Sequence, residues 1–221
     1  MDTAGPAAGR GRPSIRDLSP VALLANVAFS HGLLAGIVVA GAWYFAIPST
    51  AFGVAPTPES TGLPAVVAGV GFGIVLWLAN EAGARVADAV GFDRDESLRT
   101  LLGPESTGGW VLLLGVVLPT IAVGEEVLFR GALIGVPAAG FGLSPWALAL
   151  VSAVAFALGH GAQGSAGIVV TGLLGLVLAA AFVVSGSLLL VIVAHYLVNA
   201  LEFVVHEGID PGRLTAGHNR D

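Results

Sequence analysis

Six apolar stretches run along this chain with almost no charge inside them: Val21 to Ile47, Leu63 to Asn80, Trp110 to Val136, Pro145 to His160, Ser165 to Val184 and Ser187 to Val205. A helix needs about 20 apolar residues to cross the hydrocarbon core of a bilayer, and within that core every backbone N–H and C=O must find its partner inside the protein. The sequence therefore predicts an all-α fold, a polytopic transmembrane helix bundle of about six spans. The fourth stretch is short, but Ser144-Pro145 gives it a clear start, since serine caps free N–H groups and proline suits a first helical turn. Only 11% of the 221 residues are charged, against about 25% in soluble domains, and mean hydropathy is +0.88.

The charges gather at residues 1 to 16, 81 to 105 and 202 to 221. This divides the chain into an N-terminal segment (1–20), a transmembrane domain (21–205) and a tail (206–221). The first apolar run is too long for a signal peptide. Basic residues accumulate in cytoplasmic loops. Arg10, Arg12 and Arg16 precede the first span, Arg85, Arg94 and Arg99 fall after the second, and Arg213 and Arg220 lie in the tail. Residues 48–62, 137–144 and 185–186 hold no basic residue. Six spans with both termini in the cytoplasm satisfy this pattern. All nine basic residues are arginine, which suggests a GC-rich microbial genome and hence a microbial cell membrane. The net charge of −6 argues against a nucleic-acid partner, which selects a basic surface. The absence of cysteine removes thiolate chemistry and disulfides.

Small residues recur four apart at Gly32, Gly36 and Ala40, at Ala65, Gly69 and Gly73, and at Gly167, Thr171, Gly175 and Ala179. Such faces let helix backbones approach closely in lipid, so these are read as packing surfaces. No repeat of the kind that builds inverted-repeat transporters is visible. The stretch Glu81 to Gly109 mixes charge with Val86, Val90, Leu98, Leu101 and Leu102, as a partly helical interfacial segment would.

Against this background the polar residues inside the spans stand out: Glu125, Glu126 and Arg130, then His160, then His195 and Asn199. Ionisable groups at membrane depth are costly and mark functional sites. Helical spacing puts Glu126 and Arg130 on one face as an ion pair, with Glu125 turned roughly 100° away. His195 and Asn199 share a face, and Phe156 sits one turn below His160. At about 1.5 Å per residue, Glu125 lies roughly 20 Å from the turn near Gly140 and His160 roughly 24 Å down the next helix. His195 and Asn199 lie roughly 14 and 20 Å from the turn near Gly186. All six can meet in the inner half of the membrane. Pro119, six residues before Glu125, removes a helical hydrogen bond and is expected to bend that span.

Such a set supports peptide hydrolysis. A carboxylate and an imidazole can hold one water and take its proton, and a second histidine with an asparagine amide can supply donors to a developing oxyanion. The same groups can alternatively bind zinc, through Glu125, His160 and His195, and activate a metal-bound water. The residues by themselves leave both open.

The three groups resemble the motifs of the CAAX prenyl endopeptidase and bacteriocin-processing (CPBP, or Abi) intramembrane proteases, E-E-x-x-x-R, F-x-x-x-H and H-x-x-x-N/D. Here these are Glu125-Glu126-Val-Leu-Phe-Arg130, Phe156-Ala-Leu-Gly-His160 and His195-Tyr-Leu-Val-Asn199, in order, on separate spans. The resemblance covers a core at residues 110–205. It implies that Glu125 and His160 activate the water, Arg130 orients the glutamate pair, Glu126 supports as an acid or a ligand, and His195 and Asn199 form the oxyanion site. It also implies a membrane-anchored peptide or protein substrate, such as a prenylated CAAX-like one, with either a zinc or a metal-free glutamate mechanism. The family includes type II enzymes that remove the last three residues of prenylated proteins, and also bacterial immunity proteins.

Other polar residues read as structural. His31, beside Ser30 in the first span, is expected to bond locally or to a neighbouring helix. Glu202 and His206 are expected at a solvated helix end, although they continue the His195 face. The charges from Arg85 to Glu105 read as a solvated loop, and Phe156 as packing beneath His160. Two other functions compete with proteolysis: a proton-coupled transporter, since buried carboxylates and histidines also relay protons, and a non-catalytic immunity or scaffold protein.

Overall fold

The computed structural model describes residues 20–89, 97–161 and 164–208. Arg10, Arg12, Arg16, Arg94, Arg213 and Arg220, Val90 and the last part of the tail lie outside the described residues, as does the side chain of Leu98. Among the described residues the structure is helical and contains no strand. Five helices are long and apolar enough to cross a membrane, and a shorter apolar helix, Pro145–Gly159, makes the sixth of the bundle. In chain order these are α1 (Pro20–Tyr44), α2 (Leu63–Ala89), α3 (Thr107–Phe141), α4 (Pro145–Gly159), α5 (Gly164–Ser185) and α6 (Leu188–Phe203, continued by a turn at Val204–Gly208).

The ends are set by local chemistry. The hydroxyl of Ser106 accepts from Gly109 N at 3.1 Å and starts α3 three residues before Trp110, that of Ser144 accepts from Ala147 N at 3.5 Å, and that of Ser187 accepts from Leu190 N at 3.1 Å. Each satisfies an N–H that the first helical turn leaves free. Gly142 (φ 66°) and Gly186 (φ 62°) supply the left-handed residues that end α3 and α5. α2 runs nine residues past Asn80, carrying Glu81 and Arg85 beyond the expected limit of the span. A helix need not stop where its apolar run does.

α3 is not a uniform helix. It widens into π-helix at Leu113–Val117 and again at Val127–Gly135. Each widened segment is followed at once by a proline, Pro119 in the turn that starts at Leu118 and Pro137 in the turn that starts at Val136. A proline ring clashes with the carbonyl four residues back and offers no N–H to it. Those carbonyls belong to Gly115 and Leu133, inside the two π segments. The bend expected at Pro119 is thus taken up as a local widening of the helix.

The connection between α1 and α2, expected as a loop, folds into the bundle. It contains a 3₁₀ turn at Ser49–Phe52 and a short helix at Pro58–Thr61. The Ser187 hydroxyl donates to the Ser60 carbonyl at 2.7 Å, and Leu188 N to the Gly53 carbonyl at 3.1 Å. Phe52 is buried, and its ring occupies the space a side chain at Gly131 would need. The widened part of α3 is therefore backed by this connection.

Two apolar clusters hold the helices. One joins Phe52, Val127, Ile134, Leu178, Phe182, Val191 and Ala194, and the other joins Leu24, Leu113, Val117, Leu118 and Ala200. Along α3 the Glu125-Glu126 pair falls between them. Large apolar residues such as Phe29, Ile37, Val67, Leu150 and Leu173 are exposed, as a lipid-facing surface requires.

The small-residue face of α2 packs on α6. A Cβ at Gly69 would stand 2.7 Å from the Leu190 carbonyl oxygen, and one at Gly73 2.9 Å from that of Ala194, next to His195. At Gly36 a Cβ meets nothing within 4 Å. Thermal unfolding in detergent is expected to show Gly73→Ala destabilised by about 1–3 kcal/mol, as overpacking is. Gly36→Ala should stay within about 0.5 kcal/mol of the parent.

Candidate active site

The six polar residues expected from the motifs come from three helices, and five of them join one hydrogen-bonded and ion-paired cluster. Glu126 and Arg130 are fully buried. Arg130 Nη1 donates to Glu126 Oε1 at 2.9 Å, and its Nη2 donates to the Gly175 carbonyl on α5 at 2.9 Å. Its guanidinium lies 4.9 Å from the Phe156 ring centroid, a cation–π contact. The face read as packing on α5 thus also supplies an acceptor to the site. A side chain at Gly175 would meet the Phe156 ring at 2.8 Å, so glycine here admits that ring.

His195 joins the two carboxylates. Its Nδ1 donates to Glu126 Oε1 at 2.7 Å, and its Nε2 stands 3.7 Å from Glu125 Oε2. Because a carboxylate only accepts, the Nδ1 proton is fixed and neutral His195 turns a lone pair at Nε2 toward Glu125. His160 terminates α4 and is set in the same way. Its Nδ1 donates to the Phe156 carbonyl at 2.8 Å, leaving Nε2 as an acceptor 3.8 Å from Glu125 Oε1. Glu125 and Glu126 therefore point apart, as helical geometry requires of neighbours.

Phe156 lies at the middle of this group. It is buried, with ring centroids 4.5 Å from His160, 6.0 Å from His195 and 5.0 Å from Phe129. This agrees with its reading as packing. Ser152 donates to the Phe129 carbonyl, in the widened part of α3, at 2.7 Å. Asn199 is half-buried, one turn beyond His195, and its amide makes no hydrogen bond among the described residues. Glu125 Oε2, Glu126 Oε2 and Arg130 Nε are buried without a hydrogen bond among the described residues. Buried polar atoms left open are uncommon outside functional sites.

Zinc is the one cofactor the resemblance raises. The donor atoms of Glu125, His160 and His195 do not all lie within 4.8 Å of one another, whereas donors about 2.0–2.2 Å from one tetrahedral ion stand roughly 3.3 Å apart. As placed, these three do not fit a single ion. Among the described residues the His/Glu trio within that limit is Glu81, Glu202 and His206, about two turns along α6 from His195.

That trio corrects two expectations. Glu202 and His206 are not at a free helix end, since His206 Nε2 contacts Glu81 Oε1 at 2.8 Å and Glu202 accepts from Arg99 at 2.7 Å and Asn80 at 3.4 Å. Arg99 also donates to Glu207 at 3.2 Å, so it is paired rather than solvated, and its helix, Ser97–Leu102, lies in the segment expected to be partly helical. Pairing across more than 100 residues of sequence gives no local signal.

His31 was expected to bond locally or to a neighbouring helix, and it does both. Its Nδ1 donates to the Val27 carbonyl at 2.8 Å, and its Nε2 reaches Glu125 Oε1 at 3.2 Å. The neighbour is the glutamate at the centre of the site, and nothing in the sequence around His31 points to it.

Paired carboxylates and three imidazoles thus converge between the helices of the bundle. Residues 107–201 match the family model described as type II CAAX prenyl endopeptidase Rce1-like, and the five long apolar helices make the chain an integral membrane protein. No curated protein and no solved structure matches it.

Arg130 has no exposed surface, and removing one partner of a buried pair leaves a charge uncompensated, at a cost of about 3–5 kcal/mol. Arg130→Ala is expected to lower unfolding stability by that amount. The double variant Arg130→Met with Glu126→Gln should recover most of it in the same unfolding measurement.

Proposed function

We propose that this protein is a membrane-embedded endopeptidase that hydrolyses a peptide bond in a membrane-anchored substrate, a prenylated CAAX-like chain being the class its family suggests. The observation that carries the reading is the facing of Glu125 Oε1 and His160 Nε2 across 3.8 Å. That gap is too long for a direct hydrogen bond and suits one water donating to both. With Nδ1 held by the Phe156 carbonyl, His160 offers the lone pair a general base needs.

In this mechanism the water attacks the scissile carbonyl while Glu125 and His160 take its proton, and the proton passes to the leaving amine as the C–N bond breaks. The oxyanion is met by the free Asn199 amide. His195 can donate from Nε2 only as the imidazolium, the form in which Glu126 faces it as an ion pair. Arg130 acts behind Glu126 and holds it toward His195. The arginine bias of the loops supports placing the end that carries Arg99 in the cytoplasm, with the substrate entering from that side.

The test is hydrolysis of lipidated and unlipidated membrane-anchored peptides by purified protein in detergent, with and without a zinc chelator. Glu125→Ala should abolish cleavage while unfolding as the parent does, and wild-type cleavage by that variant sinks the proposal. Asn199→Ala should lower kcat by about 100- to 1,000-fold, as loss of one oxyanion donor does. Loss of activity on chelation would assign the chemistry to a metal that draws the donors closer together.

A further inference from the structure

The matched segment, residues 107–201, does not contain all of the groups that hold Glu125. We infer that His31, on α1, is a positioning residue of the active site, fixing the Glu125 carboxylate in the orientation that hydrolysis needs. The inference rests on the function proposed above.

Two features of α1 and α3 build the contact. First, the helices approach closely at this point: a Cβ at Gly124 would stand 2.9 Å from the His31 carbonyl oxygen and 3.3 Å from its Cβ. Glycine beside Glu125 thus brings the first span near enough for an imidazole to reach the carboxylate. Gly32 makes the same allowance one residue on, its Cβ position lying 3.5 Å from Thr120. Second, the His31 ring is fixed at both ends, through Nδ1 to the Val27 carbonyl and through Nε2 to Glu125 Oε1. A carbonyl oxygen only accepts, so Nδ1 carries a proton and donates. The Nε2 contact then requires a second proton, shared between imidazole and carboxylate.

The other imidazoles facing Glu125, His160 and His195, stand 3.8 and 3.7 Å from its oxygens. His31, at 3.2 Å, makes the hydrogen bond to this carboxylate. It therefore fixes one oxygen of Glu125 and leaves the His160 lone pair free for water. A displacement of about 1 Å at a reacting group costs on the order of 100-fold in rate.

The experiment is steady-state hydrolysis of a membrane-anchored peptide by the full-length protein in detergent. His31→Ala is expected to lower kcat about 10- to 100-fold with KM nearly unchanged. His31→Gln, whose amide N–H can still donate to Glu125, should restore most of that loss. His31→Leu, which fills the space without a donor, should resemble His31→Ala and serves where the alanine variant does not fold. Wild-type kcat in His31→Ala or His31→Leu overturns the inference and leaves the proposed function standing, as does a His31→Gln variant no better than these. Wild-type protein that cleaves nothing overturns both.

Discussion

Everything at the centre of this bundle is arranged around one buried guanidinium. Arg130 has no water to solvate it, so its charge must be met by Glu126 and the Gly175 carbonyl, each at 2.9 Å, and by the face of Phe156. Through these contacts one side chain ties α3 to α5 and α4. Glu126, held by the arginine, orients His195 on α6, which in turn faces Glu125. A buried pair of this kind is weak evidence for stability, since desolvation of both partners offsets their attraction. Its use here is directional, because a planar fork with donors at fixed angles can satisfy its acceptors in few arrangements.

The polar chain is carried in part by an irregular stretch of α3. Arg130 begins its contacts from inside a nine-residue π segment, where the extra residue per turn leaves a wider coil and less regular bonding. Gly131 and Gly135 present no side chain on the surface where the connection of residues 49–52 inserts. The two prolines that follow the widened segments explain why the irregularity persists at those positions. Packing and irregular backbone thus lie next to the chemistry.

How far this could be read from the sequence differs by level. Long apolar runs specify spans strongly, since lipid tolerates few alternatives, and serine before proline marked the start of α4. Glu125, Glu126, Arg130, His160 and His195 could be singled out because charge inside apolar helices is conspicuous and their spacing is helical. The π segments were not legible, because a proline signals a disturbed helix without saying how it is relieved. His31 was passed over because a lone histidine has a sufficient local explanation, and its bond to Val27 is that explanation. Arg99, Glu202 and His206 read as solvated for the same reason: each is an ordinary surface residue until its partners, far off in sequence, are known.

The shortness of α4 has a bearing on water supply. Its 15 residues extend roughly 22 Å, against about 30 Å of hydrocarbon. The last turn of any helix leaves carbonyl groups without intrahelical partners, and in lipid such groups are costly. α4 ends at His160, so the polar backbone there needs aqueous or polar company at the depth where the imidazole meets Glu125. A helix that stops there calls for polar company below the membrane surface, and the hydrolysis proposed above, which consumes a water at each turnover, calls for water at that same depth.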